Sequence, residues 1–305
     1  MRMTRKCVVT VLVGALGAAG LVSCGADDSG DGEGTGLTAA LSGVPASQAE
    51  QAITYRDVSA ARRLVAADKS LYRGLDGYGI IEFMQGAHTA RPRSYGFEAK
   101  DVTASVLLSN GYSQRLTGTF DVDAVRKAMR KRGYTATEGD DGAVRLRKKG
   151  QADIEVSADA RTSQYVDGVK LPLDPPDRSV TDDPAYKAVV SCLGDDVYEA
   201  SLYGKNPGYR KQGITLLGIG GHADDAAHPT EKLCARTTSE DAAEKVAAEL
   251  RAKTAPGERF TGAKVNVGDG DTPVVSIIWK NSTKPGMRPT DQDRTGELPM
   301  ALLRP

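Results

Sequence analysis

The longest apolar stretch of the chain is Val8–Leu21, and it determines the compartment in which the rest of the sequence folds. Three cations precede this stretch within the first six residues. A cationic start followed by an apolar run is typical of a secretory signal peptide. A helix of these 14 residues is about 21 Å long, shorter than the roughly 30 Å hydrocarbon core of a bilayer. We therefore predict that residues 1–23 are removed and that the remaining chain is exported.

The apolar stretch ends in Leu21-Val22-Ser23-Cys24. This sequence resembles the lipobox of bacterial lipoproteins, and the resemblance covers residues 1–25 only. It implies that Cys24 receives a diacylglycerol and becomes the mature N-terminus. Two acyl chains anchor a protein stably, whereas one does so only marginally. The expected location is therefore the extracytoplasmic face of the cell membrane, and the Ala-, Gly-, Asp- and Arg-rich composition resembles that of high-GC Gram-positive bacteria.

Removal of the predicted signal peptide changes the charge of the chain. The whole sequence has 40 Lys and Arg and 40 Asp and Glu, and residues 1–23 contain three of the cations and none of the acids. The mature chain therefore has 37 cations and 40 acids, a net charge of −3. Because nucleic-acid-binding proteins are typically basic, this balance argues against nucleic acid as a partner.

The chain has four cysteines, which are Cys7, Cys24, Cys192 and Cys234. Cys7 leaves with the signal peptide and Cys24 carries the lipid, so two thiols remain in an oxidising compartment. We predict a disulfide bond between Cys192 and Cys234, worth roughly 4 kcal/mol in the chain-entropy model. The alternative, two ligands of a metal site, would require further Cys or His residues at short spacing.

The mature length is typical of two domains, and strand and helix patterns occur in both halves. We predict an α+β fold of two small open-sheet domains, each with helices on one face. A glycine- and aspartate-rich segment at 25–36 indicates a flexible tether, and three prolines near residue 175 indicate a linker. The predicted parts are a lipidated N-terminus and tether over 24–50, a first domain over 51–165, a linker over 166–183, a second domain over 184–284 and an irregular tail over 285–305.

Two segments, 116–148 and 233–280, share the order strand, capped helix, hairpin. In the first, Asp121 or Asp123 is expected to cap the helix, and in the second Thr238 is expected to do so as part of a capping box. The dipeptide Asp-Ala occurs in both segments at an offset of 118 residues. These features suggest a weak internal duplication, although chance similarity between α+β units is equally consistent with them.

The sequence contains three candidate sites, and from them we predict no enzyme activity, no cofactor and no metal. Gly218–His222 could bind a phosphate, but no helix pattern follows it, so a plain glycine-rich loop is favoured. His222 and His228, with Asp224 and Asp225 between them, could bind a metal, but a six-residue spacing brings the two imidazoles close together on neither a helix nor a strand. Ser113 lacks the second glycine of a nucleophile elbow.

Charge is the least ordinary feature of the sequence. Between Arg115 and Lys149 there are ten Lys or Arg and five Asp or Glu. An ordinary solvated surface is one explanation, and binding to anionic lipid or an anionic wall polymer is the other. The predicted binding residues lie on the outer sides of one helix and one strand and are Arg126, Lys127, Arg130, Lys131, Arg145 and Arg147.

Two classes of function remain open from the sequence. The preferred hypothesis is a membrane-anchored lipoprotein that acts as a non-enzymatic binding or interaction module, with the membrane as one partner through the lipid on Cys24. The alternative is a solute-binding or hydrolase-accessory lipoprotein with a ligand pocket between the two domains, because ligand sites favour domain interfaces.

Overall fold

The computed structural model describes residues 36–77, 79–80, 92–108, 113–139, 142–164, 169, 171–204, 207–224, 226–258, 260–281 and 298–303. The predicted signal peptide and Cys24 lie outside these residues. Gly34–Pro305 group into one compact unit, which we call the body. None of the helices found in the described ranges has the length and apolar character needed to cross a bilayer.

The described strands form one antiparallel sheet. The strands are β1 Ala52–Asp57, β2 Val102–Leu108, β3 Ser113–Gly118, β4 Thr135–Glu138, β5 Val144–Arg147, β6 Asp153–Val156, β7 Ala160–Gln164, β8 Glu199–Tyr203, β9 Ile214–His222, β10 Thr230–Thr237, β11 Lys264–Val267 and β12 Val274–Lys280. The helices are α1 Leu37–Ser42, α2 Val58–Ala67, α3 Val122–Lys131, α4 Pro184–Leu193, α5 Pro207–Lys211 and α6 Glu240–Ala252. The order across the sheet is β11-β12-β10-β9-β8-β1-β2-β3-β7-β6-β5-β4.

The α+β class with an open sheet is confirmed, but the two predicted sheets are one. Strands β1–β7 of the first half form one side of the sheet and β8–β12 of the second half form the other. They join where β1 pairs antiparallel with β8, with Ile53 opposite Leu202 and Tyr55 opposite Ala200. All four side chains are buried in one core. The joint is therefore a hydrogen-bonded strand pair with a shared apolar core.

The two halves have a similar arrangement of strands, although three strands intervene in the chain between β3 and β7 and one between β10 and β12. In each, the first three strands lie side by side in chain order and the last strand returns beside the third, which gives β7 next to β3 and β12 next to β10. The caps agree: Asp121 accepts the Ala124 N–H and Ser239 accepts the Ala242 N–H, again an offset of 118 residues. Ser239, and not the predicted Thr238, is the N-cap of α6.

Helices cover both faces of the sheet. On one face, which we call the α4 face, Leu216 and Cys234 share a core with α1 and α4. On the other, which we call the α3 face, Leu217 and Leu233 pack with α5 and α6, and Leu146 packs with α3. Residue alternation through the paired strands places Leu146 and Leu233 on the same face. The prediction of helices on one face of each half is therefore wrong, because α4 lies on the face of the sheet opposite to α5 and α6.

Three segments that we predicted to be flexible or irregular have residues buried in the body. Leu37 and Leu41 of α1 are fully buried, so the flexible tether cannot extend to residue 50 as predicted. In the predicted linker, Leu171 and Val180 are buried, and the Val180 N–H donates to the Val44 carbonyl. In the predicted tail, Leu298 and Leu302 are buried with α6. Burial of these leucines and of Val180 holds the described parts of the three segments in place.

Candidate functional site

Helix α3 carries four of the six predicted basic residues. Its Val125 and Met129 are buried against the sheet, which turns the opposite side of the helix to solvent. Lys127, Arg130 and Lys131 are exposed, and within the described ranges no carboxylate forms an ion pair with any of them. We call these three residues the α3 cluster. They are the part of the predicted basic face whose charge is not neutralised by a neighbour.

Arg126, the fourth basic residue of α3, differs from the cluster. Its guanidinium lies 3.2 Å from the carboxylate of Asp123 and 3.1 Å from that of Glu138. Its side chain is 24% exposed, compared with 84% for Asp123. Because both neighbours compensate its charge, Arg126 contributes little to an attraction for anions.

Arg145 and Arg147 lie on the other side of the sheet from α3. Val144 and Leu146 point into the core beneath α3, so the two arginines between and after them project from the α4 face. Each is ion-paired with a residue of β6, Arg145 with Glu155 and Arg147 with Asp153. The six predicted residues therefore do not form one surface. A flat membrane could not contact the basic residues of α3 and the two arginines of β5 at the same time.

The predicted disulfide bond is present. Cys192 in the last turn of α4 is bonded to Cys234 of β10, with their Cα atoms 6.2 Å apart. Cys234 is completely buried. The bond fixes the end of α4 to strand β10, and it excludes the alternative in which these two thiolates bind a metal.

A groove of about 810 Å³ lies between the predicted linker and the strands β4–β6. Charged side chains converge on it: Arg145, Arg147 and Glu155 from the strands, and Asp174 and Asp177 from the linker. The wall on the linker side also contains Pro172, Leu173, Pro175 and Pro176. The Arg115 guanidinium fixes this wall, because it donates a hydrogen bond to the Leu173 carbonyl at 2.8 Å. The groove is thus polar and lies beside the linker, not across the β1–β8 joint.

The glycine-rich stretch at 218–222 is part of strand β9, not a loop as predicted. A Cβ on Gly218 would lie 2.6 Å from Val189 Cγ1 and 3.0 Å from Leu193 Cδ1 of α4. Glycine is required there because α4 lies so close to the sheet. The strand ends at His222, whose Nδ1 is 3.6 Å from Asp196 Oδ1, while His228 is exposed.

Buried polar groups of the first half were missed by the sequence analysis. Arg161 of β7 is completely buried, and its guanidinium carbon is 5.4 Å from the centre of the Phe97 ring. Burial lowers the pKa of Arg161 to about 9, so it is still charged at neutral pH. Ser113 is also fully buried. No local sequence pattern distinguishes these residues from exposed strand residues, because the segments that bury them are distant in sequence.

The comparisons with known proteins give a structural likeness to TP0453. No protein family and no curated protein matches the sequence. Crystal form I of TP0453 aligns over 87% of this chain and 97% of that chain, with 11% identity and a TM-score of 0.47. Crystal form IV of TP0453 aligns over 75% of this chain and 88% of that chain, with 11% identity and a TM-score of 0.42. At these values we transfer no function or site from TP0453.

Proposed function

We propose that the protein is a membrane-anchored lipoprotein whose body is a non-enzymatic binding module outside the cytoplasm. The observation that supports export is the Cys192–Cys234 disulfide bond, because such bonds persist in oxidising compartments and are rare in the cytosol. The likeness of residues 21–24 to a lipobox supports anchoring by a lipid on Cys24.

The start of the body keeps it close to the membrane in this proposal. Leu37 is the first residue of α1 and is completely buried. Only the 12 residues 25–36 then separate the lipidated cysteine from helix α1. They span about 40 Å when fully extended. A short tether raises the effective concentration of the body at the membrane surface, so weak attractions become sufficient.

The α3 cluster is the surface that we propose makes this contact. Its three cations are exposed, lie on one side of one helix and have no acidic partner among the described residues. Each cation near an anionic surface contributes about 1 kcal/mol, and salt screens the attraction beyond a Debye length. The partner is defined by its chemistry, an anionic headgroup or an anionic wall polymer.

The anchor is tested by metabolic labelling with a fatty acid in the native host. The wild-type protein should incorporate the label, and Cys24→Ser should not, because its hydroxyl cannot form the thioether that carries the diacylglycerol. Cys7→Ser is the matched control, since Cys7 leaves with the signal peptide and its loss should not change labelling. Label retained in Cys24→Ser would refute the lipoprotein assignment.

The groove beside the linker favours a second candidate function, solute binding. Its volume of about 810 Å³ is within the range of small-molecule sites, and its charged lining suits a polar solute. Native mass spectrometry of the purified protein would show a retained small molecule if this function holds. The same mass should be lost in Glu155→Ala with Arg145→Ala, and a mass that persists in this double variant would place the solute elsewhere.

A further inference from the structure

Three potential metal ligands meet near the end of β9. Asp196 lies between α4 and β8, His222 is the last residue of β9, and Asp224 follows two residues later. One ligand atom from each lies within 4.8 Å of the other two. The sequence spacing of His222 and His228 gave no reason to expect this group, because Asp196 is separated from His222 by 26 positions.

The loop after α4, which carries Asp196, is held close to the end of β9, which carries His222. After α4 the chain turns at Gly194, whose φ of 95° is in the region that favours glycine. A Cβ at this position would lie 2.7 Å from Asp196 Oδ1. Two residues after Asp196, the Tyr198 N–H donates to the Gly221 carbonyl at 3.0 Å. The Cys192–Cys234 bond fixes the end of α4 just before this turn, so the loop and the strand end cannot separate easily.

His222 is the residue in this group that most needs an explanation. Its side chain is only 14% exposed, and buried polar groups are normally hydrogen-bonded. Within the described residues, its Nε2 is shielded from solvent and has no hydrogen-bond partner. Its Nδ1 is 3.6 Å from Asp196 Oδ1, too long for a hydrogen bond. The imidazole is therefore not committed to a structural hydrogen bond.

The same 3.6 Å separation suits two ligands of one metal ion. Nitrogen and oxygen ligands lie about 2.0 to 2.2 Å from zinc, so two of them at a tetrahedral angle are about 3.4 Å apart. Asp224 is exposed. Its carboxylate oxygen needs to move by less than about 1.5 Å towards the other two ligand atoms for all three to bind one ion. One neutral imidazole and two carboxylates would balance the charge of a dication. On the same face of the sheet as His222, the Lys232 ammonium donates a hydrogen bond to the Cys192 carbonyl.

We propose that Asp196, His222 and Asp224 bind a divalent transition-metal ion of the zinc type. Imidazole with carboxylates suits such ions, whereas Mg²⁺ and Ca²⁺ take oxygen ligands. The ion joins the loop after α4 to the connection between β9 and β10. Three protein ligands leave one coordination position for water. This proposal is independent of the lipid anchor and of the α3 cluster.

The test is zinc titration by calorimetry on the purified mature protein, made without a histidine tag and treated with chelator. We expect one Zn²⁺ per chain, a higher thermal midpoint with Zn²⁺, and no response to Mg²⁺. Asp196→Asn and His222→Gln should each weaken binding at least tenfold. His228→Gln is the matched control, because His228 is exposed on the same connection and is not a ligand in this proposal.

Folding of the variants is checked separately by their thermal midpoints without metal. Asp196 is 62% exposed, so Asp196→Asn should unfold at the wild-type temperature while losing the zinc response. No heat of zinc binding in the wild-type protein would overturn the proposal. Binding that is unchanged in Asp196→Asn and His222→Gln, or weakened equally in His228→Gln, would overturn it as well.

Discussion

Asp121 and Asp123 are two positions apart, and only Asp121 caps a helix. The sequence allows either, because both precede the apolar side of α3, and the structure selects the residue with extended backbone, whose carboxylate accepts the Ala124 N–H at 2.9 Å. Residue-scale predictions of this kind succeed because a cap depends on neighbours within one turn. The buried Arg161 could not be predicted, because Phe97 and its surroundings are distant in sequence.

The cap gives a prediction at the residue scale. Asp121→Ala should lower the free energy of unfolding by about 1 kcal/mol, because the Ala124 N–H loses its acceptor. Chemical denaturation of the two proteins measures the difference. Asp123→Ala is the control, since it removes only an 84% exposed carboxylate and should cost much less. Equal losses in the two variants would contradict the assignment of the cap.

For the helices and strands, the sequence is enough to predict the disulfide bond. It is enough to predict only part of the basic surface. Counting cysteines leaves one pair, whatever the fold. The alternation in β5 places Val144 and Leu146 on one side and Arg145 and Arg147 on the other, and α3 packs on the apolar side. The arginines therefore cannot share a surface with the outer side of α3. That result was contained in the sequence pattern, but the acidic partners in β6 were not.

The disulfide bond gives the prediction at this scale. Alkylation of the unreduced protein should modify neither Cys192 nor Cys234, and alkylation after reduction should modify both, as mass spectrometry would record. Changing both to Ser should lower the free energy of unfolding by about 4 kcal/mol in the chain-entropy model, given their separation of 42 residues. The reduced wild-type protein should have a similar stability. Two reactive thiols before reduction would contradict the structure.

For the whole molecule, the sequence indicates strands in both halves but not their union in one sheet. Alternation of apolar and polar residues predicts a strand and its buried side. It contains no information about which strand lies beside it in the sheet. Unpaired edges favour association with other chains. Pairing β1 with β8 satisfies one edge of each half, so the joint is a property of the complete body. The same union explains why the described part of the predicted linker packs against the core that the two halves share.

In the proposed function, the tethered body binds an anionic surface through the α3 cluster. Co-sedimentation of the mature protein without its lipid, carrying Cys24→Ser, with anionic and neutral vesicles at low and high salt measures this binding. We expect binding to anionic vesicles at low salt only. Lys127, Arg130 and Lys131 changed together to Gln should weaken it by roughly 100-fold, from about 1 kcal/mol per cation.

The control removes the same number of cations elsewhere, with Arg145, Arg147 and Lys149 changed to Gln, and should retain most of the binding. Both variants have the same net charge, so a difference between them reports the position of the charge and not its amount. The predicted result is loss of binding in the α3 variant alone. Equal binding to neutral vesicles, or equal losses in the two variants, would show that the α3 cluster is not an anion-binding surface.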